Sequence, residues 1–368
     1  MNRSDILLVG CGGCGSSIVD AILDLDTRYE SFFFNTSESD IQTLHNTTQG
    51  VENYFIISTK NGVGRNKQLG TQLATRRRVS MFEILTKFNQ KHIYIFTSLG
   101  GGSGSSITEV LLSTIEDMTS QGLTFDKYIN IVGVLPDLKS KDILLLNTLN
   151  SWNTLMSFKC ITTTIFLNNS KASEDIVNRD FAKLFDSLFD IPVANGKLFD
   201  EGNLTNLLTT KGNVYVYNLP SHCTSIEIAY NAAKTSSVLA SMHVGDDNTV
   251  VTNSQVKTKC SYIGVSLSEE RYIVDDLLKH FHNIKEEYIG NNISGDNLLV
   301  LSGVTPPIDC IKAIQDELEH RSTNTVDDDF QFSVFKGATI QSPSIQLKPI
   351  ATQQDNIKTA LNLFKRRV

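Results

Sequence analysis

The chain has 368 residues, 40% hydrophobic and 20% charged, with a formal net charge of −7. That length and composition suit a soluble protein with more than one cored region. The acidic balance argues against a protein coated with basic groups for nucleic acid. No apolar run approaches the roughly 20 residues needed to span a bilayer, and no signal-peptide pattern precedes the first strand. A cytoplasmic protein with no membrane contact is therefore expected.

The first half alternates strand and helix. Ile6 to Val9 reads as a strand, followed by a glycine-rich turn and a helix from Ser16 to Leu25 with Ile18, Val19, Ile22 and Leu25 on one face. Ser31 to Phe34 is the next strand, then the turn Asn35 to Asp40, then strand Tyr54 to Ile57. A loop carrying Gly62, Gly64 and Gly70 leads to a helix over 68–88. The strand 93–98 delivers a second glycine loop onto a helix over 107–118. Strand 128–134 ends at Pro136. A helix follows over 140–156, and then a strand over 160–167. This repeated order predicts a Rossmann-like, largely parallel α/β sheet covered on both faces. Ligands of such sheets bind outside the carboxyl ends of the strands, where both glycine loops lie.

The second half begins with two helices. Phe181, Leu184, Phe185 and Leu188 define the first, and Leu198, Leu204, Leu207 and Leu208 the second, over 196–210. Further helices are expected over 226–239, 272–288 and 308–320, with strands at 259–267, 297–302 and 330–335. The reading divides the chain into a nucleotide-binding domain (1–195), a central helix (196–211), a smaller C-terminal α/β domain (212–340) and a linker with a basic helical tail (341–368).

The two glycine loops carry the chemistry. Gly10, Cys11, Gly12, Gly13, Cys14 and Gly15 form the first, and Gly100, Gly101, Gly102, Ser103, Gly104 and Ser105 the second. Without Cβ atoms such loops bring bare N–H groups close to a ligand. Each also opens onto a helix N-terminus with unpaired donors and a positive dipole end. A pair of such loops points to phosphate, hence a nucleotide. Of six cysteines, only Cys11 and Cys14 have metal or redox spacing. They have no second Cys-x-x-Cys partner, so no metal site is expected and they are read as small side chains in a phosphate loop.

Together these motifs resemble the tubulin/FtsZ superfamily of GTP-dependent filament proteins. Gly10 to Ser17 is similar to its first phosphate loop, and Phe34-Asn35-Thr36-Ser37 to its second. Gly62 to Asn66, with Gly64 and Arg65, is similar to the loop facing the γ-phosphate. Gly100 to Ser105 resembles the superfamily's glycine signature. The resemblance makes Asp142 the acceptor for ribose hydroxyls and Asn168 and Asn195 the guanine readers, with Asn169 interchangeable with Asn168 and Phe189 either stacking on the base or sitting in the core. It implies GTP or GDP as ligand, Mg²⁺ carried through the phosphates, and a head-to-tail homopolymer. Divergent loops, Ser17 where an asparagine is common, and the basic end Lys365-Arg366-Arg367 suggest the plasmid- or phage-encoded branch. There the implied work is DNA positioning, with the basic tail meeting a DNA-bound adaptor or other acidic partner.

Hydrolysis is where the pattern breaks. The superfamily supplies an acidic Asn-x-Asp-x-x-Asp loop after the central helix to the neighbour's nucleotide. On the division above that loop is Lys211 to His222, which contains no Asp or Glu, leaving Asn213, Asn218 or His222. A non-hydrolysing scaffold or regulator of a related filament is the alternative. A third reading is a dinucleotide-dependent oxidoreductase, since Gly10, Gly12 and Gly15 satisfy the Rossmann spacing. The acidic residue such a site needs at the end of the second strand is absent, and the second glycine loop would have no purpose.

Overall fold

A computed structural model describes residues 1–47, 53–58, 62–219, 238–243, 258–267, 279–291 and 296–324. Residues 226–237 of the expected helix over 226–239, residues 272–278 of that over 272–288, the strand at 330–335, and the linker and basic tail lie outside these residues. The first half follows the βα order: β1 (Ile6–Cys11), α1 (Gly12–Leu23), β2 (Glu30–Asn35), α2 (Glu38–Gln42), β3 (Tyr54–Ile56), α3 (Lys67–Thr86), β4 (His92–Ser98) and α4 (Ser103–Ser120). It continues with β5 (Tyr128–Leu135), α5 (Asp142–Ser157), β6 (Ile161–Asn168), α6 (Glu174–Ser187), α7 (Ile191–Asn195), α8 (Glu201–Thr209) and β7 (Gly212–Asn218). Beyond it come β8 (Thr258–Lys259), β9 (Tyr262–Leu267), β10 (Phe281–His282), β11 (Glu286–Asn291), β12 (Leu298–Val304) and α9 (Ile308–Asn324).

One ten-stranded sheet runs through the molecule in the order β11-β9-β12-β7-β6-β5-β4-β1-β2-β3, and β8 pairs separately with β10. From β3 to β7 every pairing is parallel, whereas β12 runs antiparallel to both β7 and β9. Continuous apolar runs such as Ile6-Leu7-Leu8-Val9, all fully buried, are what a sheet covered on both faces demands. One face packs Ile18, Phe181 and Phe185 of α1 and α6. The other packs Met81, Leu111 and Trp152 of α3, α4 and α5. No helix among the described residues is long and apolar enough to cross a membrane.

Three expectations change. The segment 196–211 is not one helix: Gly196 takes φ +58° and closes α7, a 3₁₀ turn spans Gly196–Leu198, and Asp200 then caps α8 through a reciprocal box with Asn203. The helix that crosses the molecule is instead α6 with its continuation through residues 188–195. Residues 281–288 do not end a helix, because β10 and β11 occupy them. Their burial alternates along β11, with Tyr288 inside against Phe199 and Tyr262. Leu239 forms an isolated bridge to Leu167, so no helix reaches it.

Candidate functional site

The carboxyl ends of β1, β2, β4, β5 and β6 form one end of the molecule, and the two glycine loops meet there. Cys11 ends β1 in extended geometry, and Gly12, at φ +70°, turns the chain into α1. A Cβ on Gly12 would lie 2.7 Å from the Gly104 nitrogen, and one on Gly104 would lie 2.5 Å from the Cys11 carbonyl oxygen. The loops are in backbone contact that no larger residue permits. Gly102 is equally constrained, since its Cβ would meet Arg65 Cα at 2.8 Å. The loop at 62–66 is thus pressed onto the second glycine loop, with Arg65 itself at φ +69°.

Side chains fix these turns from behind. Asn35 is fully buried, and its Oδ1 accepts from the amides of Thr36 and Ser37 at 2.7 and 3.2 Å. Thr36 Oγ1 and Ser103 Oγ share a hydrogen at 2.7 Å, and Ser105 Oγ donates to the Gly101 carbonyl at 2.6 Å. Asn147 Nδ2 donates to the carbonyls of both Arg65 and Gly100 at 3.2 Å. Lys67 Nζ, at the start of α3, reaches Glu109 Oε1 on α4 at 2.6 Å and Ser151 Oγ on α5 at 2.8 Å. Burial pushes the Glu109 carboxyl up, against the opposing pull of Lys67. Asn147, Lys67 and Glu109 escape the sequence reading because their partners are far apart in the chain. The available signal is a charged Glu109 on an otherwise buried helix face.

The electrostatics suit an anion. Neither α1, α3 nor α4 has an acidic residue in its first turn, so their dipoles and free N–H groups stay available. Together with the cradle that a Cβ would fill, this fits the phosphates of a nucleotide. Burial pushes the thiols of Cys11 and Cys14 up to about 12, helped at Cys14 by Glu174. Both stay protonated at neutral pH, unlike metal-binding or redox thiolates.

The structure brings Gly10 to Cys14, Asn35, Gly64, Arg65, Gly100 to Ser105, Asp142 and Asn168 to this end. Asn168 Oδ1 is occupied by the Ser170 amide at 2.9 Å. Its neighbour Asn169 has a buried Oδ1 with no partner among the described residues. Asp142 opens α5 and is bonded to Arg321 of α9.

Asn195 is a correction. It ends α7 at the opposite end of the molecule, where its Nδ2 donates to the Ile191 carbonyl and to Ser266 Oγ. Its Oδ1 lies where a Cβ on Gly290 would stand, so it belongs to the packing against β9 and β11. Phe189 is likewise core, edge-on to Tyr29 and Phe185.

The opposite end is built from charge. Arg3, only 6% exposed, pairs with Asp186, Asp190 and Asp26, and the amino group of Met1 meets Glu201 Oε2 at 3.0 Å. These contacts place the end of the long helix beside the amino end of β1. The loop that leaves this helix is therefore Asn195-Gly196-Lys197-Leu198-Phe199-Asp200, and Asp200 is exposed. The earlier assignment of that loop to Lys211–His222 does not hold: residues 212–218 are β7, inside the sheet, and Asn213 is buried with its Oδ1 accepting from Thr164 Oγ1 at 2.9 Å. His222 lies outside the described residues.

The parallel sheet and its paired glycine loops are similar to those of tubulin/FtsZ-type GTPase domains. Residues 5–176 match the tubulin/FtsZ family GTPase domain. The whole chain is similar, at 22% identity over 373 aligned residues, to the tubulin-like protein TubZ of Clostridium botulinum C phage, covering 94% of that protein. The structure superposes on the tail-truncated TubZ of C. botulinum phage c-st with a TM-score of 0.75 at 21% identity, covering 88% of this chain and 99% of that one. A GTPγS-form protofilament of Bacillus thuringiensis serovar israelensis TubZ gives 0.67 at 14% identity, over 87% and 93% of the two chains. In sequence and in fold the chain thus resembles the phage-encoded TubZ proteins of the tubulin/FtsZ superfamily.

Proposed function

We propose that this protein binds GTP at the carboxyl end of its parallel sheet and polymerises head-to-tail into a cytoskeletal filament. The observation that carries this reading is the sorting of its exposed large hydrophobics. Leu69, Leu138, Ile143 and Ile176 follow the carboxyl ends of strands or open helices, at the nucleotide end. Leu25, Tyr128, Met156, Val193 and Leu198 end helices or open strands, at the other. Such an arrangement suits a heterologous contact between unlike ends, which grows into an open filament.

In this reading the glycine loops, Asn35, Gly64 and Arg65 hold the phosphates with their Mg²⁺, and Asp142 holds the ribose. The unpartnered amide oxygen of Asn169 accepts from the guanine edge, since an amide oxygen has two lone pairs and needs a donor when buried. Asn178, half-buried one turn beyond Glu174 on α6, takes the role that the sequence reading gave Asn195. Glu174 acts electrostatically on Cys14 of the first loop, and residues four apart share a helix face.

From the stretch Asn195-x-Lys197-x-x-Asp200, the incoming subunit presents the exposed Lys197 and Asp200 to this site. Relative to the superfamily's acidic loop, one carboxylate is present and a lysine replaces the other. Asp200 then orients the attacking water, and Lys197 makes turnover slow. That lysine also favours a second reading, a filament that assembles on GTP without hydrolysing it. DNA positioning through an adaptor on the basic tail is the cellular role we infer from the TubZ likeness. Phosphate release from GTP, measured with light scattering over a protein concentration series, tests the proposal. Turnover that rises steeply with scattering supports the GTPase. Scattering without phosphate supports the second reading, and neither signal with GTP bound overturns both.

A further inference from the structure

The loop between β5 and α5 is held by a residue from the far end of the described chain. Arg321, on the last turns of α9, donates through Nη1 to the Ser140 carbonyl and to Asp142 Oδ1, both at 2.8 Å, and through Nη2 to the Leu138 carbonyl. Its Nε is taken by Glu317 Oε1 at 2.7 Å, one turn earlier on the same helix. The planar guanidinium is thereby fixed, and its fork spans residues 138–142 in a way a lysine ammonium does not reproduce. Within the loop, the Ser140 amide closes a turn on the Asp137 carbonyl at 2.9 Å. The Asp142 side chain is 61% exposed, and the Arg321 side chain 27%. Asp142 Oδ2 has no partner among the described residues.

We propose that Arg321 is a positioning residue for ribose recognition: by holding Oδ1 of Asp142 and the carbonyls before it, it presents Oδ2 to the nucleotide's sugar hydroxyls. This rests on the reading of Asp142 as the ribose contact. A carboxylate has about four acceptor sites, so the arginine and a sugar hydroxyl share it without competing. A charge-assisted bond of this kind is stronger than a neutral one. Because α9 carries the arginine, docking of α9 and binding of the sugar are coupled, and each strengthens the other.

The test is equilibrium binding of GTP and 2′,3′-dideoxy-GTP to the full chain and to D142N, R321Q and R321K. The parent should prefer GTP by about tenfold, the scale of one hydrogen bond to a charged acceptor. D142N should lose that preference. R321Q should lose most of it while binding the dideoxy nucleotide as the parent does, and R321K should restore only part. A parent that does not discriminate, or a D142N that still does, overturns the ribose reading. A discriminating parent, a non-discriminating D142N and an R321Q that keeps the full preference overturn the role of Arg321 alone. A loss of affinity for both nucleotides at an unchanged ratio means that Arg321 only supports the loop, and equally overturns it. Should R321Q fail to fold, E317A removes the acceptor of Nε alone and is read on the same ratio.

Discussion

The two ends of the parallel sheet are built from different materials. At the carboxyl end the backbone does the work: glycines let three loops touch, and polar side chains such as Asn35 and Asn147 brace them from behind. At the amino end the side chains do it, with Arg3 among three aspartates, Met1 on Glu201, and Asp200 exposed beyond them. A backbone cradle must be complete in the monomer to hold an anion. A fringe of side chains can act on a neighbour and leave its own subunit's nucleotide untouched. On the proposed function, the contrast makes binding a property of one subunit and turnover a property of two.

The largest expected effect is at the brace behind the cradle. Lys67→Met leaves Glu109 buried and unpaired, which should cost about 3–5 kcal/mol. The double variant Lys67→Met/Glu109→Leu should recover most of it in denaturant titrations. Equal loss in both would mean that the pair is not what joins α3 to α4.

Asp200→Asn should reduce phosphate release at saturating protein by about a hundredfold, the lower range for a group acting in general-base chemistry. GTP affinity of the monomer should not change, and Lys197→Asp should speed turnover. A monomer binding defect in Asp200→Asn would break the division between the ends. Gly104→Ala pushes a methyl against the Cys11 carbonyl, an overpacking worth about 1–3 kcal/mol, and it should abolish nucleotide binding before it abolishes folding. Calorimetry with GTP and a thermal melt separate the two.

The smallest effect concerns His92, which is buried at the amino end, stacked on Tyr128, with its Nδ1 unpartnered among the described residues. Burial lowers its pKa from the ordinary 6.5 to about 4, aided by the positive amino terminus. Its neutral form therefore favours the folded state above pH 6.5, and that contribution is lost as pH falls through about 4. His92→Gln should flatten the stability–pH curve in this window by roughly 1–2 kcal/mol, without moving GTP affinity.

The end where the glycine loops meet was legible because its signals are local. A glycine loop between a strand and a helix has the same meaning wherever its partner lies, so Gly12, Gly104 and Asn35 could be named in advance. The braces were not legible: Lys67 meets Glu109 and Ser151 only once three helices are packed. The amino end was misread for a related reason. Leu198, Leu204, Leu207 and Leu208 fit one helical face, but Gly196 at positive φ and the Asp200 cap divide the segment. Leu198 is left 52% exposed, while the other three are buried. The same error had hidden Asp200 inside a helix and placed the contact loop on a buried strand.

By itself, then, the sequence determined the alternating βα order, the parallel sheet and the end at which the glycine loops lie, because hydrophobic period and glycine placement act over a few residues. Only the tertiary structure decided that residues 174–195 cross the molecule, that Asn195 faces β9 and β11 in place of a base, and that Arg321 holds the loop at Asp142. Each depends on contacts between segments distant in the chain, and these exist only after the sheet has brought the segments together.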